Sequence, residues 1–314
     1  MAIEMETWHG VVVLAVSGIG FLTVVVNFLK FLKWAWSVFL RAPKDPRDYG
    51  SWAVITGCTD GIGRALAFQL ASKGLNLVLV GRNPQKLEAT SDEIRKSHGG
   101  QIGIRSVIID LAKLSGREVE TKMRQGIEGL DVGLLINNAG MANSYATYFH
   151  DQDVANVDDI IKVNMSGATW VARAVLPGML SKRKGAIVNI GSGSSVVVPS
   201  FPLATVYAAS KAYIAMLSRS MSLEYQHHGI DVQCQIPLVV ATKMPGIAKP
   251  SLFIPLPEEY SKASIRWLGR DHLCSPYWAH AIQSCVFSLY RDDLLSRIIL
   301  KKHLAHLAPS TKDT

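Results

Sequence analysis

The run VYAASKAY places Tyr207 four residues ahead of Lys211. On a helix those two positions share a face, one turn apart. An ammonium beside a phenol favours the phenolate and lowers its pKa from about 10. Such a pair would be a proton donor usable near neutral pH. Ser194 stands thirteen residues before Tyr207, in NIGSGSSVVV. Its hydroxyl would hold a substrate carbonyl; Ser192 and Ser195 are alternatives, and loop serines are commonly turn formers. Asn164, in IIKVNMSG, falls in the middle of a helical stretch. Asparagine is a poor helix former, so it either faces solvent or has a polar role inside. Asn164-Met165-Ser166 also matches a glycosylation sequon, which a cytosolic domain would leave unmodified.

A second group of residues has the types needed to hold a nucleotide. TGCTDGIG carries Gly57, Gly61 and Gly63, with Thr59, Asp60 and Ile62 between them. Glycines let a tight backbone turn approach phosphates, and a helix opening there favours their charge. No Gly-Lys-Ser/Thr follows, so this is not a P-loop. Further on, Gly81 stands where an acidic residue would bind the ribose 2′-hydroxyl of NAD, and Arg82 follows it. A cation without a carboxylate there favours the 2′-phosphate of NADP(H). Asp110 either hydrogen-bonds an adenine or caps a helix beginning at Leu111. Asn137, Asn138, Ala139 and Gly140 form a small-residue run against which a flat cofactor can lie.

The elements that must position these residues are legible from periodicity. Short apolar runs at 51–56, 75–81, 102–110, 132–136, 185–190 and 230–236 read as strands. Helical patterns separate them, at 64–74, 84–97, about 153–180 and around Tyr207. A seventh strand is best placed at 270–276. Apolar strands alternating with helices predict an α/β fold, a doubly wound parallel sheet of Rossmann type. Ligands bind such sheets beyond the carboxyl ends of the strands, where every motif above falls.

The N-terminus differs in kind. After a short tail, 1–9, residues 10–29 carry no charge and are long enough to cross a bilayer as a transmembrane helix. Lys30, Lys33, Arg41, Lys44 and Arg47 follow; Glu4 and Glu6 precede. The positive-inside rule puts everything after it in the cytosol. A cleaved signal peptide would need a basic start and a later small-residue site. A basic, proline-containing linker, 30–49, leads to a reductase-sized domain over 50–300. Within it, 245–290 would cover a substrate, as a lid or by dipping into the membrane. Four prolines, from Pro245 to Pro257, break its start. Its uncharged run Cys274 to Tyr290 reads as buried or interfacial before spanning. A loose polar tail is expected over 301–314.

Composition excludes other classes. With 48% hydrophobic and 18% charged residues the chain is not disordered. Net charge +8 suits a phosphorylated cofactor, an acyl-CoA or acidic membrane lipid, but no basic cluster interleaved with aromatics indicates nucleic acid. The four cysteines form no CxxC pair, indicating reduced thiols and no metal site.

Taken jointly, Gly57/Gly61/Gly63, Asn137 to Gly140, Asn164, Ser194, Tyr207 and Lys211 resemble the short-chain dehydrogenase/reductase family over about residues 50–245. The resemblance implies Tyr207 as general acid/base and Lys211 as the residue that lowers its pKa and binds the nicotinamide ribose. It makes Ser194 the carbonyl-orienting hydroxyl and Asn164 the end of a water-borne proton relay. YGSWAVITGCTDGIG, GLNLVLVGRN, LDVGLLINNAGM and GIDVQCQIPLVVATKM, with the anchor, are similar to the membrane-bound very-long-chain 3-ketoacyl-CoA reductases, the plant members above all. Related animal enzymes are classed as 17β-hydroxysteroid dehydrogenases (type 12). That implies NADPH-dependent reduction of a long-chain 3-ketoacyl-CoA to the 3-hydroxyacyl-CoA at the endoplasmic reticulum. The implied partners are a condensing enzyme, a dehydratase and an enoyl reductase. A 17β-hydroxysteroid or other lipophilic ketone is the alternative substrate, and a non-catalytic elongase scaffold the alternative of another class. A homo-oligomer stays open. Two departures stand out: Pro237-Leu238 replaces the family's usual Pro-Gly, and the terminal STKDT lacks paired retrieval lysines.

Overall fold

Alternation of buried side chains builds the sheet of this computed structural model, which describes residues 2–98, 100–143, 145–244, 249–305 and 307. Residues 245–248, where the expected cover begins, and 308–314 of the expected tail lie outside the described residues. Two units are distinguished, Met1–Ala42 and Pro43–Thr314. In the first, α1 (Ala2–Ala35) passes into a π turn, Trp36–Leu40. Trp8–Leu40 has a mean hydropathy of 2.4 and is long and apolar enough to cross a membrane.

The second unit holds β1 (Trp52–Thr56), α2 (Gly61–Ala71), β2 (Asn76–Gly81), α3 (Pro84–Ser97), β3 (Ile104–Ile108), α4 (Gly116–Ile127) and β4 (Val132–Asn137). After these come α5 (Val154–Ile161), α6 (Ala168–Ser181), β5 (Gly185–Ile190), α7 (Gly193–Val196), α8 (Thr205–Tyr225) and β6 (Ile230–Gln235). α9 (Pro257–Arg266), β7 (Leu273–Cys274), α10 (Trp278–Phe287) and α11 (Asp292–Leu304) complete it. The strands form one parallel sheet in the order β3-β2-β1-β4-β5-β6-β7.

Successive strand residues point to opposite faces. Ile55, Leu77, Leu79, Leu134 and Ile136 pack on one face with Leu66 and Leu70 of α2, Leu87 and Ile94 of α3, and Ile265 of α9. Val54, Val78, Val80, Leu135 and Ile187 pack on the other with Val119 and Met123 of α4, Val171, Val175 and Met179 of α6, and Met221 of α8. Each fully buried Leu, Ile or Val contributes about 1.5–3 kcal/mol of transfer free energy. Covering both faces is what a parallel sheet requires.

Of the two readings open for Asp110, the helix cap at Leu111 is not realised: 111–114 form a turn, and α4 begins at Gly116, where Ser115 and Glu118 form a capping box. Two expectations are corrected. The long helix expected over 153–180 is split by a π turn, Lys162–Gly167, between α5 and α6. The tail expected from 301 starts inside α11, which runs to Leu304. The uncharged run Cys274 to Tyr290 is no span: its helix, α10, has 10 residues, about 15 Å of rise.

Candidate active site

β1 ends at Thr56, and the chain must then turn sharply to start α2. Gly57 makes that turn at φ 65°, and a Cβ on it would sit 2.8 Å from Ala139 Cα. Gly61 follows at φ 52°. A Cβ on Gly63 would overlap the Asn138 amide and the Gly57 carbonyl. These glycines let the ends of β1 and β4 close on each other. Thr56 Oγ1 accepts from the backbone N–H groups of Asn138 and Ala139, at 3.0 Å each. Asn138 Nδ2 donates to the carbonyls of Thr56 and Gly57, at 3.1 and 3.0 Å. The Asn138 amide, expected to lie against a cofactor, therefore knits the two strand ends together.

Asp60 caps α2, accepting from Gly61 N at 2.8 Å, and pairs with Lys243 at 2.9 Å. Its pKa lies below the ordinary value: the Lys243 and Gly61 hydrogen bonds outweigh burial, which by itself raises it. Thr59 and Ile62 are half-buried in the same turn. Gly81 faces Thr59 across the cleft, Arg82 is exposed beside it, and Asn83 caps α3 through Lys86 N at 2.9 Å. Asp110 accepts from Ala112 N at 3.1 Å, so its carboxylate serves a local turn. A nucleotide fits this cradle: an α-helix N-terminus, glycines with no room for a side chain, and an exposed guanidinium at the end of β2.

Tyr207 and Lys211 lie on α8 as their spacing requires, with Lys211 Nζ 6.0 Å from the phenol ring centre. Lys211 is 6% exposed and donates to Ile190 O at 3.0 Å. Burial pulls its pKa down to about 8. Burial pushes the Tyr207 phenol above 10, opposed by a hydrogen bond from Ser192. The lysine was expected to lower that phenol; its ammonium lies over the ring while donating to the β5 carbonyl, and burial sets the direction of the shift in the resting phenol. A Cβ on Gly140 would meet Lys211 Nζ at 3.4 Å and Asn164 Oδ1 at 3.5 Å, so these three converge. Asn164 is 2% exposed. Its Oδ1 accepts from Met141 N at 2.7 Å, and its Nδ2 donates to Met141 O and Ser210 Oγ at 2.9 Å each. Of the two readings open for it, the polar role inside is the one realised.

The serines are placed as follows. Thirteen residues back from Tyr207 selects Ser194, but the hydroxyl on the phenol is that of Ser192. Ser194 is a step behind and donates to Ser192 Oγ at 2.9 Å. The cause is local: Ser192 is the extended residue that caps the short α7, and α7 takes up chain that a straight count treats as path length. Ser195 Oγ donates to the Ser192 carbonyl and makes only a turn.

Two further features escaped the sequence reading. Asn137 Nδ2 donates to Asn189 Oδ1 at 2.9 Å, and Asn189 Nδ2 to Ser218 Oγ at 2.8 Å, a buried ladder tying β4 and β5 to α8. Leu238, in place of the usual glycine, fills the space a Cβ on Gly193 would need. Its N–H donates to His280 Nδ1 at 3.3 Å, and His280 Nε2 donates to Val239 O at 3.1 Å. Burial drives His280 down to about 4, so a neutral imidazole bridges the loop after β6 to α10. An apolar residue followed by a distant uncharged histidine was the available signal.

Comparison with known proteins agrees with this architecture. A family model described as short chain dehydrogenase matches residues 51–250. The chain is 47% identical to the very-long-chain 3-oxoacyl-CoA reductase-like protein of Arabidopsis thaliana, over 88% of this chain and 89% of that one. It is 35% identical to the human very-long-chain 3-oxoacyl-CoA reductase, over 88% of each. A short-chain dehydrogenase from Sphingobium yanoikuyae, solved in complex with NADPH, superposes with a TM-score of 0.62 at 30% identity, covering 76% of this chain and 96% of that one.

Proposed function

The chain belongs to the short chain dehydrogenase family, and from that membership we propose that it reduces long-chain 3-oxoacyl-CoA to the 3-hydroxyacyl-CoA with NADPH. The observation that carries the reading is the pairing of the Ser192 and Tyr207 hydroxyls beside buried Lys211, beyond the carboxyl ends of β4 and β5. The substrate class rests on the names of the Arabidopsis and human relatives. The choice of NADP over NAD rests on Arg82 next to Gly81, with no carboxylate at the end of β2.

When bound, NADPH supplies the hydride. The protein supplies position and a proton. Gly57, Thr59, Gly61, Ile62 and Gly63 would line the diphosphate at the start of α2, with Asp60 holding that turn through Gly61 N and Lys243; Arg82 would meet the 2′-phosphate, and Ala139 and Gly140 would leave a flat wall. Ser192 donates to the C3 carbonyl oxygen and orients it. Tyr207 gives its proton to the alkoxide that develops there. A phenol raised by burial keeps its proton at rest, the state a reductase acid needs. The buried Lys211 ammonium then stabilises the phenolate left behind. Asn164 holds the Met141 backbone, and with it the wall opposite Lys211.

In this reading α1 anchors the enzyme in the endoplasmic reticulum membrane. Lys30, Lys33, Arg41, Lys44 and Arg47 keep the catalytic unit cytosolic, next to the condensing enzyme, dehydratase and enoyl reductase of elongation. The test is NADPH oxidation by membranes containing the protein, offered a long-chain 3-ketoacyl-CoA or a 17-ketosteroid, with Tyr207→Phe as control. Acyl-CoA turnover lost in the variant is the expected result. Turnover of the steroid alone overturns the substrate, and a Tyr207→Phe protein with full activity overturns the acid.

A further inference from the structure

The C-terminal helices are bonded to the loops that follow β6 and precede Tyr207. α10 is tied to the loop after β6 through His280, and to the 251–254 turn, where Tyr277 OH donates to Leu252 O at 3.1 Å. α11 reaches the segment leading into Tyr207: Ser200 Oγ donates to Ser296 Oγ at 2.8 Å, and His303 Nδ1 to Pro202 O at 2.6 Å. Leu307 bridges to Ala146.

The outward side of this collar is apolar. Ile282, Cys285, Val286 and Leu289 recur at helical spacing and are exposed, Leu289 at 80%. No charged residue interrupts Cys274 to Tyr290. Leu252 and Phe253 extend the surface on the Tyr277 side, and Leu294 and Ile298 on the α11 side. An uncharged apolar face of this extent in water marks a binding surface. Its border carries both signs: Arg291, Asp292 and Asp293 are exposed at the start of α11, and Arg297, Lys301 and Lys302 further along it, the two lysines within one turn of Ile298. Long basic side chains beside exposed leucines and isoleucines are the composition of a helix lying in a headgroup layer.

We propose that the α10–α11 collar is a second membrane contact: the Ile282/Cys285/Val286/Leu289 stripe lies in the headgroup–acyl boundary of a bilayer, with Arg297, Lys301 and Lys302 against anionic lipid. Lipid is favoured over a second copy of the chain by two observations. α1 is long and apolar enough to cross a bilayer. The stripe carries no charged group that would fix a specific partner, while its border is on balance cationic, with Arg291, Arg297, Lys301 and Lys302 against Asp292 and Asp293. α10 is too short to span, so it lies along the surface. On the reading under Proposed function, the acyl tail then enters the site sideways from the bilayer; the contact itself does not depend on that reading.

Cys285 supplies the probe, since it is exposed while Cys58, Cys234 and Cys274 are buried. A nitroxide is attached to Cys285 of the full chain, reconstituted in phosphatidylcholine vesicles with and without phosphatidylserine. Its relaxation by oxygen is compared with that by a water-soluble nickel chelate. The expected result is oxygen relaxation several-fold above nickel, increased by phosphatidylserine. In a Val286→Asp/Leu289→Asp variant with unchanged circular dichroism the order should reverse. Nickel dominating in the parent protein overturns the proposal. So does a label shielded from both reagents and broadened by a neighbouring label, which would put a second copy on the stripe. Neither readout uses substrate, so failure here is separable from failure of the assigned reaction.

Discussion

Replacing Lys211 with methionine removes a charge that the fold holds at a loss. The ammonium is 6% exposed, and burial lowers its pKa from 10.5 to about 8. At about 1.4 kcal/mol per tenfold change in proton affinity, that drop corresponds to about 3 kcal/mol against the folded state. The sign follows from the depressed folded value. Below pH 8 both states hold the proton, and the folded protein bears the whole cost. Between about 8 and 10.5 the folded state sheds the proton while the unfolded chain keeps it, so stability rises with pH relative to a variant without the group. Lys211→Met also loses the bond to Ile190 O, about 1–3 kcal/mol, at every pH. The intercept therefore mixes two effects, but the pH dependence of the difference isolates the charge. Urea unfolding of both detergent-solubilised proteins across this window should show the variant's relative stability falling by about 3 kcal/mol, while its reductase activity is lost throughout. A difference that stays flat with pH would mean that Lys211 is not a desolvated cation, and the mechanism would lose the charge it assigns to that position. A group retained at this cost in stability is expected where function requires it.

Ser192→Ala should lower kcat/KM about 100-fold or more, as removing an oxyanion donor does, whereas Ser194→Ala, one neutral hydrogen bond further back, should lose less than about tenfold. Steady-state kinetics giving the opposite order would return the role to Ser194. Arg82→Glu should raise the KM for NADPH by about 10- to 100-fold and that for NADH far less, through loss of a charge-assisted bond; an unchanged ratio sinks the NADP assignment. Tyr260 is 0% exposed and its hydroxyl has no partner among the described residues. Tyr260→Phe should therefore gain about 1–2 kcal/mol in urea unfolding, and a loss would show that the hydroxyl is satisfied.

The sheet was legible because its strands are short and mostly apolar, bounded by glycine-rich and polar turns. Six of seven runs fall within two residues of the observed strands, and the polar residues they hold, such as Asn137, Asn189, Gln233 and Gln235, are buried with hydrogen-bond partners. β7, at two residues, is too short to carry a pattern. The glycine turn and Tyr207/Lys211 were legible because each is a local geometry. The choice of Ser192 over Ser194 was not, because a residue count assumes a path length that α7 changes. The Asn137–Asn189–Ser218 ladder was hidden for the opposite reason: its members belong to three elements, and only pairing β4 with β5 puts the two asparagines in register. The last turn of α11, from Lys301, looked like the start of a polar tail because it is lysine-rich and the face α11 buries is narrow, chiefly Leu295.

The π turn at Lys162–Gly167 ties helix length here to the site. A π turn holds one residue more than the α-helix it interrupts. Removing any one residue between Lys162 and Gly167 would let α5 and α6 merge into a continuous α-helix with better backbone bonds. The turn absorbs that residue within itself, so the helices on either side keep the phase they would have in a shorter, continuous α-helix. Val171, Val175 and Met179 would stay against the sheet after such a deletion. What would change is the turn itself, where Asn164 reaches Met141 and Ser210. The extra residue thus belongs to the wall of the site rather than to the core, and a deletion between Lys162 and Gly167 should leave the fold standing while activity falls.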